Sequence, residues 1–196
     1  LREQLDLSDM FGARTLVIIT GGFEALKSAG HDGDIDYARS LLVERLALAA
    51  ELADSYRVRL AFEPLHPMVC GFRSIVSTLQ ESLDILDQMD DSHDIGLAID
   101  TYALWWEHDL QEKLKRAGKR ILNYHVSDWL ADTRDLRLDR GMPGDGQIAL
   151  CDWRHMIEAA GYFGPIEVEI FSRDRWWKTP AEKMIEEIIE RMNSAF

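Results

Sequence analysis

The sequence predicts an α/β fold built on a parallel sheet, and two patterns carry that prediction. Short, continuous apolar strings rich in β-branched residues recur along the chain: "TLVIIT" (15–20), "VRLAFE" (58–63), "IGLAID" (95–100), "ILNYHV" (121–126) and "IEVEIF" (166–171). Unbroken strings of this length suit strands covered on both faces, as parallel strands are. Between them lie segments of helical period, so the order strand, helix, strand, helix runs through the chain.

Taken in order, residues 37–54 place Ala38, Leu41, Leu42, Leu46, Ala49, Ala50 and Ala53 in one stripe at a period of ~3.6. Residues 78–89 repeat the pattern with Leu79, Leu83, Leu86 and Met89, and 109–117 with Leu110, Leu114 and Ala117. A last helix is expected from Ala181 to about Arg191, with Met184, Ile185, Ile188 and Ile189 on one face. Its start reads "TPAE", with Thr179 as the cap, Pro180 in the first turn and Glu182 three after the cap. No low-complexity linker divides the chain, so 1–196 is expected to be one domain.

Composition bounds the function. The 196 residues are 46% hydrophobic and 29% charged, enough apolar surface for a core, and the net charge is −13. Such acidity argues against nucleic-acid phosphates or an anionic membrane as a partner. The two cysteines, Cys70 and Cys151, make neither a disulfide framework nor a CxxC metal motif. No apolar run approaches the ~18 residues of a membrane span and no signal-peptide pattern opens the chain, so a cytoplasmic protein is expected. The first residue is Leu1 rather than Met, which leaves room for a start further upstream.

The strand ends carry the chemistry. "VRLAFE" finishes on Glu63, "IGLAID" on Asp100, "ILNYHV" has His125 near its end, and "IEVEIF" has Glu169. Taken singly, an acidic residue after a strand is ordinarily a cap or a turn former. Four consecutive strands ending this way aim Glu, Asp, His and Glu at one edge of a parallel sheet. Three carboxylates crowded together repel, and a divalent cation relieves that cost. An oxygen-rich set with one imidazole suits Mn²⁺, Mg²⁺ or Co²⁺ at least as well as Zn²⁺. Period-2 alternation puts Glu167 and Glu169 on the same side and does not choose between them; Glu169 is preferred as the nearer to the carboxyl end. Asp128 either supports the site or caps the next loop.

The strings "FEPLHP", "IDTY", "YHVSDW", "DRGMPGDGQI" and "AAGYFGPIEVEIFS" resemble, in that order, the sugar phosphate isomerase/epimerase group of the xylose isomerase-like TIM barrels. That resemblance implies a (β/α)8 barrel in which Glu63, Asp100, His125 and Glu169 hold one divalent metal ion (Mn, Mg, Co or Zn). It further implies that Glu63 and Glu169 also exchange a proton with the substrate, and that His66 and Arg140 face it. The implied reaction is isomerisation or epimerisation of a small sugar, ketose or polyol through a metal-stabilised enediolate. A lyase or dehydratase acting on an inosose or oxidised sugar uses the same site and is the alternative. A non-catalytic, degraded barrel is a third reading. By analogy with the group, a homo-oligomer is expected.

Two departures stand out. Relatives usually read Asp-x-x-His from the aspartate that ends "IGLAID", whereas this chain has "DTYALWW", with Ala103 at the histidine position. By the same resemblance "TLVIIT" is the fourth strand of the barrel, so the first three βα units are expected to lie outside this chain. Residues 1–12 then read as the end of a helix leading through Gly12 into that strand. Residues 127–149 form a polar loop with Arg134, Arg137 and Arg140, and loops of that length at a barrel mouth usually carry function. Within it, "GMPGDG" lacks the spacing of a nucleotide phosphate loop. The pairs Trp105–Trp106 and Trp176–Trp177 are read as packing residues.

Overall fold

A computed structural model describes residues 1–194, apart from 24–26, 28–29, 31–32, 70 and 91–92. Cys70 therefore lies outside the described residues. A helix α1 (Arg2–Phe11) opens the chain and stops at Gly12, whose φ of 70° is the left-handed conformation that closes helices. This is the helix-to-strand entry expected of residues 1–12. Strand β1 (Thr15–Ile18) follows, then α2 (Ile35–Asp54), β2 (Arg59–Phe62) and α3 (Leu79–Leu86). Next come β3 (Ile95–Asp100), a one-turn helix α4 (Thr101–Leu104), α5 (Leu110–Ala117) and β4 (Ile121–Val126). The chain ends with α6 (Leu150–Ala159), β5 (Ile166–Val168) and α7 (Ala181–Ser194).

Capping fixes several of the starts. The Asp34 side chain accepts from Tyr37 N at 2.9 Å to begin α2, and Thr78 Oγ1 accepts from Glu81 N at 3.0 Å to begin α3. The final helix starts at Ala181, as expected, but its cap lies one position later than "TPAE" suggests: Met184 N donates to Pro180 O, so Pro180 rather than Thr179 takes the capping place. Helix α6 is an addition to the sequence reading, although Leu150, Trp153 and Ile157 carry its buried stripe.

All five strands pair in parallel, in the order β1-β2-β3-β4-β5. The sheet is strongly curled. Cα atoms of β1 and β4 approach within 8 Å, where three flat strand spacings would hold them roughly 14 Å apart. Strand β3 is buried along its whole length, and Leu60, Phe62, Leu97 and Ile99 share one hydrophobic cluster with Leu79, Leu83, Leu110 and Leu114 of the covering helices. Large apolar side chains stand exposed on α1 (Met10, Phe11) and α7 (Ile185, Ile189). Among the described residues, no helix is long and apolar enough to cross a membrane.

The strands are shorter than the apolar strings, and this matters for the site. Strand β2 stops at Phe62 and β5 at Val168, so Glu63 and Glu169 stand one residue past the ladder. They remain tied to it: Glu63 N donates to Ile18 O at 2.9 Å, and Glu169 N to Val126 O at 3.0 Å.

Close approach inside the sheet depends on Gly96. A Cβ there would lie 2.2 Å from Arg120 O and 2.6 Å from Leu122 Cγ. Gly96→Ala is expected to destabilise the protein by about 1–3 kcal/mol, measured by urea unfolding, because the obstacle is backbone rather than a mobile side-chain tip.

Candidate active site

The carboxyl edge of the sheet gathers the ionisable residues. Ligand-capable atoms of Glu63, His125 and Glu169 all lie within 4.8 Å of one another. His125 is paired in register with Asp100 on β3 and with Glu167 on β5, which sets its ring between the two strand ends. Its Nδ1 is buried and lies 3.5 Å from Glu63 Oε1, yet makes no hydrogen bond among the described residues. Its Nε2 faces Glu167 Oε2 at 3.9 Å. Glu169 thus stands in the three-residue cluster, while Glu167 lies on the Nε2 side of the imidazole.

Asp100 is placed differently from the other three. It is fully buried, its Oδ1 accepts from Tyr102 N at 2.9 Å to cap α4, and its Oδ2 accepts from Arg140 Nη1 at 2.9 Å. The same Nη1 donates to Glu169 Oε2 at 2.9 Å. The guanidinium therefore bridges two of the three strand-end carboxylates, and Asp100 adjoins the three-residue cluster through Arg140.

Crowding sets the protonation behaviour. Burial works against a charged His125, but Glu63, Asp100 and Glu169 outweigh it and push the imidazole up to about 9. Burial, and then the Asp100 charge, raise the Glu169 carboxyl, with Arg140 pulling the other way. Arg140 is opposed by its own burial but held charged by Asp100, Glu169 and Glu63. An imidazole that keeps its proton this long is surrounded by anionic oxygen, and a divalent cation supplies the same positive charge. With a buried imidazole nitrogen that makes no hydrogen bond among the described residues, beside Glu63 and in one cluster with Glu169, these three side chains fit such an ion.

Of the three arginines in residues 127–149, Arg134 and Arg137 are exposed and only Arg140 turns inward. Its backbone N donates to Phe171 O at 2.9 Å, beside an antiparallel bridge between Asp128 and Gly141. Asp128 organises this loop. Its buried carboxylate accepts from Trp129 N, Gly144 N, Gly146 N and Ile148 N at 2.8–3.0 Å. Of its two sequence readings, the loop role is the one these contacts describe.

An aromatic stack links Arg140 to His66. The Arg140 Cζ lies 4.5 Å from the Tyr102 ring centre; Tyr102 stacks on Trp129 at 4.7 Å, and Trp129 lies 4.8 Å from His66. Trp106 closes the end, 6.0 Å from His66 edge-on, with its Nε1 donating to Ala103 O. Trp105 packs on Trp129 at 5.6 Å. Tyr102 and Trp129 were not singled out as site residues, though each sits inside a quoted string, "IDTY" and "YHVSDW". Ala103 is buried in α4 and brings no polar group. Cys151 is exposed.

A curled parallel α/β sheet with a carboxylate–imidazole cluster at its carboxyl edge is the architecture of barrel-derived proteins whose sites lie at the carboxyl ends of the strands. The family model for xylose isomerase-like TIM barrels matches residues 1–195, and the chain belongs to that family. The solved structure of protein SMc04130 from Sinorhizobium meliloti 1021 is 43% identical with a TM-score of 0.91, covering 99% of this chain and 69% of that one. The fold is shared with an IOLI protein crystallised with a bound zinc atom, at 22% identity and a TM-score of 0.80, over 99% of this chain and 66% of that one. It is also shared with the 3-keto-D-glucoside 4-epimerase YcjR from E. coli, at 17% and 0.71, over 96% and 67%. The chain thus spans about two thirds of the length of these structures. No curated protein matches it.

Two outcomes follow from the geometry. Asp128→Ala is expected to leave four amides without their acceptor, at about 1–3 kcal/mol for each that stays buried. Hydrogen exchange should then quicken at Gly144, Gly146 and Ile148 before the strands are affected. His66 is lowered from its ordinary value by burial, against a smaller pull from Asp100. The unfolded chain therefore binds this proton first as pH falls through about 6.5, and folding stability is lost in that direction. His66→Asn should flatten that part of the stability–pH curve, measured by urea unfolding.

Proposed function

We propose that this chain carries the metal-binding mouth of a divalent-metal-dependent isomerase or epimerase of a small sugar, ketose or polyol. The observation that carries the reading is the cluster of Glu63, His125 and Glu169, whose ligand atoms lie within 4.8 Å of one another, with the His125 Nδ1 buried beside Glu63 and without a hydrogen bond among the described residues. In this reading those three residues hold the ion, and Asp100 completes the set or steadies it through Arg140. When bound, the cation supplies the positive charge that stabilises the oxygen next to a carbon losing its proton.

The protein's own residues account for the rest. Glu63 and Glu169 project from β2 and β5, on either side of β4, so a carbon held between them has a carboxylate on each side. One takes the proton at a carboxylate oxygen and the other returns it, which is the requirement for isomerising or inverting a centre beside a carbonyl. In this reading Arg140, beyond its bonds to Asp100 and Glu169, and His66 grip hydroxyl oxygens, and the flat faces of Trp129 and Trp106 line a sugar ring or chain. Two proteins that share the fold, a 3-keto-D-glucoside 4-epimerase and a D-tagatose 3-epimerase-like protein, support this class.

One observation favours a second reading. Ala103 replaces a histidine usual in the group and cannot orient or protonate a substrate oxygen, so a dehydratase or lyase that shares the proton-abstraction step fits as well.

Elemental mass spectrometry on wild type and Glu169→Gln, purified identically without chelator, tests the site. About one equivalent of Mn, Co, Mg or Zn is expected in wild type and a large loss in the variant. Wild type that takes up no metal, even after soaking with Mn²⁺, overturns the proposal. Incubation with a ketose and inosose panel in D₂O then separates the readings: deuterated epimer or isomer supports the first, and an unsaturated or dehydrated product the second.

A further inference from the structure

Strand β5 carries a second carboxylate, Glu167, paired in register with His125. Residues 123 and 125 lie on one face of β4, residues 167 and 169 on the facing side of β5, and the register pairs His125 with Glu167. Asn123 Nδ2 donates to Glu167 Oε1 at 2.7 Å. That bond occupies one carboxylate oxygen and turns the other, Oε2, towards His125 Nε2 at 3.9 Å. The opposite ring nitrogen, Nδ1, is the buried one beside Glu63. The imidazole is therefore flanked by a carboxylate on each side, with different tasks available to its two nitrogens.

We infer that Glu167, held by Asn123, is a positioning residue that keeps the Nε2 proton of His125 on its own side and presents Nδ1 to the cation. This rests on the metal-site reading above. Three features support it. A ligating imidazole needs its second N–H directed at an acceptor, or the ring can rotate and offer the wrong nitrogen. Glu167 is an acceptor on the Nε2 side, at 3.9 Å, while Glu63 lies on the Nδ1 side at 3.5 Å. Its side chain is 56% exposed, so without the Asn123 amide it would be free to swing into solvent. At 3.9 Å the contact is an ion-pair separation, which one bridging water or a small rotation converts to a hydrogen bond. Glu167 touches no substrate position and is not a catalytic residue.

The test uses the full chain with zinc as the probe. Zn²⁺ affinity is measured by calorimetry for wild type, Glu167→Gln, Asn123→Ala and the double variant. Glu167→Gln is expected to weaken binding by about 10–100-fold, the usual effect of removing such a partner. Asn123→Ala should act in the same direction, and the double variant should lose little more than Glu167→Gln alone, because both substitutions break one chain of contacts. Nitrogen-15 NMR of histidine-labelled, zinc-loaded wild type should show His125 metallated at Nδ1 and protonated at Nε2. A merely structural role for Glu167 would leave that signature and the affinity unchanged. Affinities within twofold of wild type, or metallation at Nε2, overturn the inference while leaving the metal site standing. Wild type that binds no zinc removes both together.

Discussion

Concentrated negative charge at the carboxyl edge of the sheet is the constraint on which the rest of this structure depends. Glu63, Asp100 and Glu169 converge around His125, and three of these four groups are buried. Repulsion among them must be balanced inside the protein, and Arg140 does so by sharing one nitrogen between Asp100 and Glu169. Removing one partner of such a buried pair would leave an uncompensated charge, which is costly. Much of the surrounding architecture keeps that guanidinium in place. Asp128 folds the loop that carries it, the Phe171 carbonyl holds its backbone, and Tyr102 and Phe171 lie against its faces at 4.5 and 5.1 Å.

Curling of the sheet is the second requirement. Glu63 and His125 belong to strands separated by β3, yet their side chains approach to 3.5 Å. A flat sheet would hold them further apart, near two strand spacings of ~4.8 Å. Small residues make the bend possible: Ala61, Gly96 and Ala98 leave little bulk in β2 and β3, and Gly96 lies against the Arg120 carbonyl. Packing, therefore, and not only ligand identity, brings the strand ends together.

Much of this was legible in the chain itself. The alternation of apolar strings and helical stripes determined the parallel α/β architecture, because burial on both faces leaves an unbroken apolar run and burial on one leaves a periodic stripe. Glu63, Asp100, His125 and Glu169 were visible because parallel strands put all their carboxyl ends on one edge. Helix α6 was overlooked although Leu150, Trp153 and Ile157 mark it, since it follows a long polar loop whose end carries no strong cap. Other relations had no local signature. That Asp100 caps α4 and binds Arg140, that Asp128 gathers amides from up to 20 residues away, and that Glu167 rather than Glu169 lies behind the imidazole all depend on strand register and loop path. Residue type and period are local properties of a sequence, whereas the pairing of charges across strands is set only when the sheet curls and the loop closes over it.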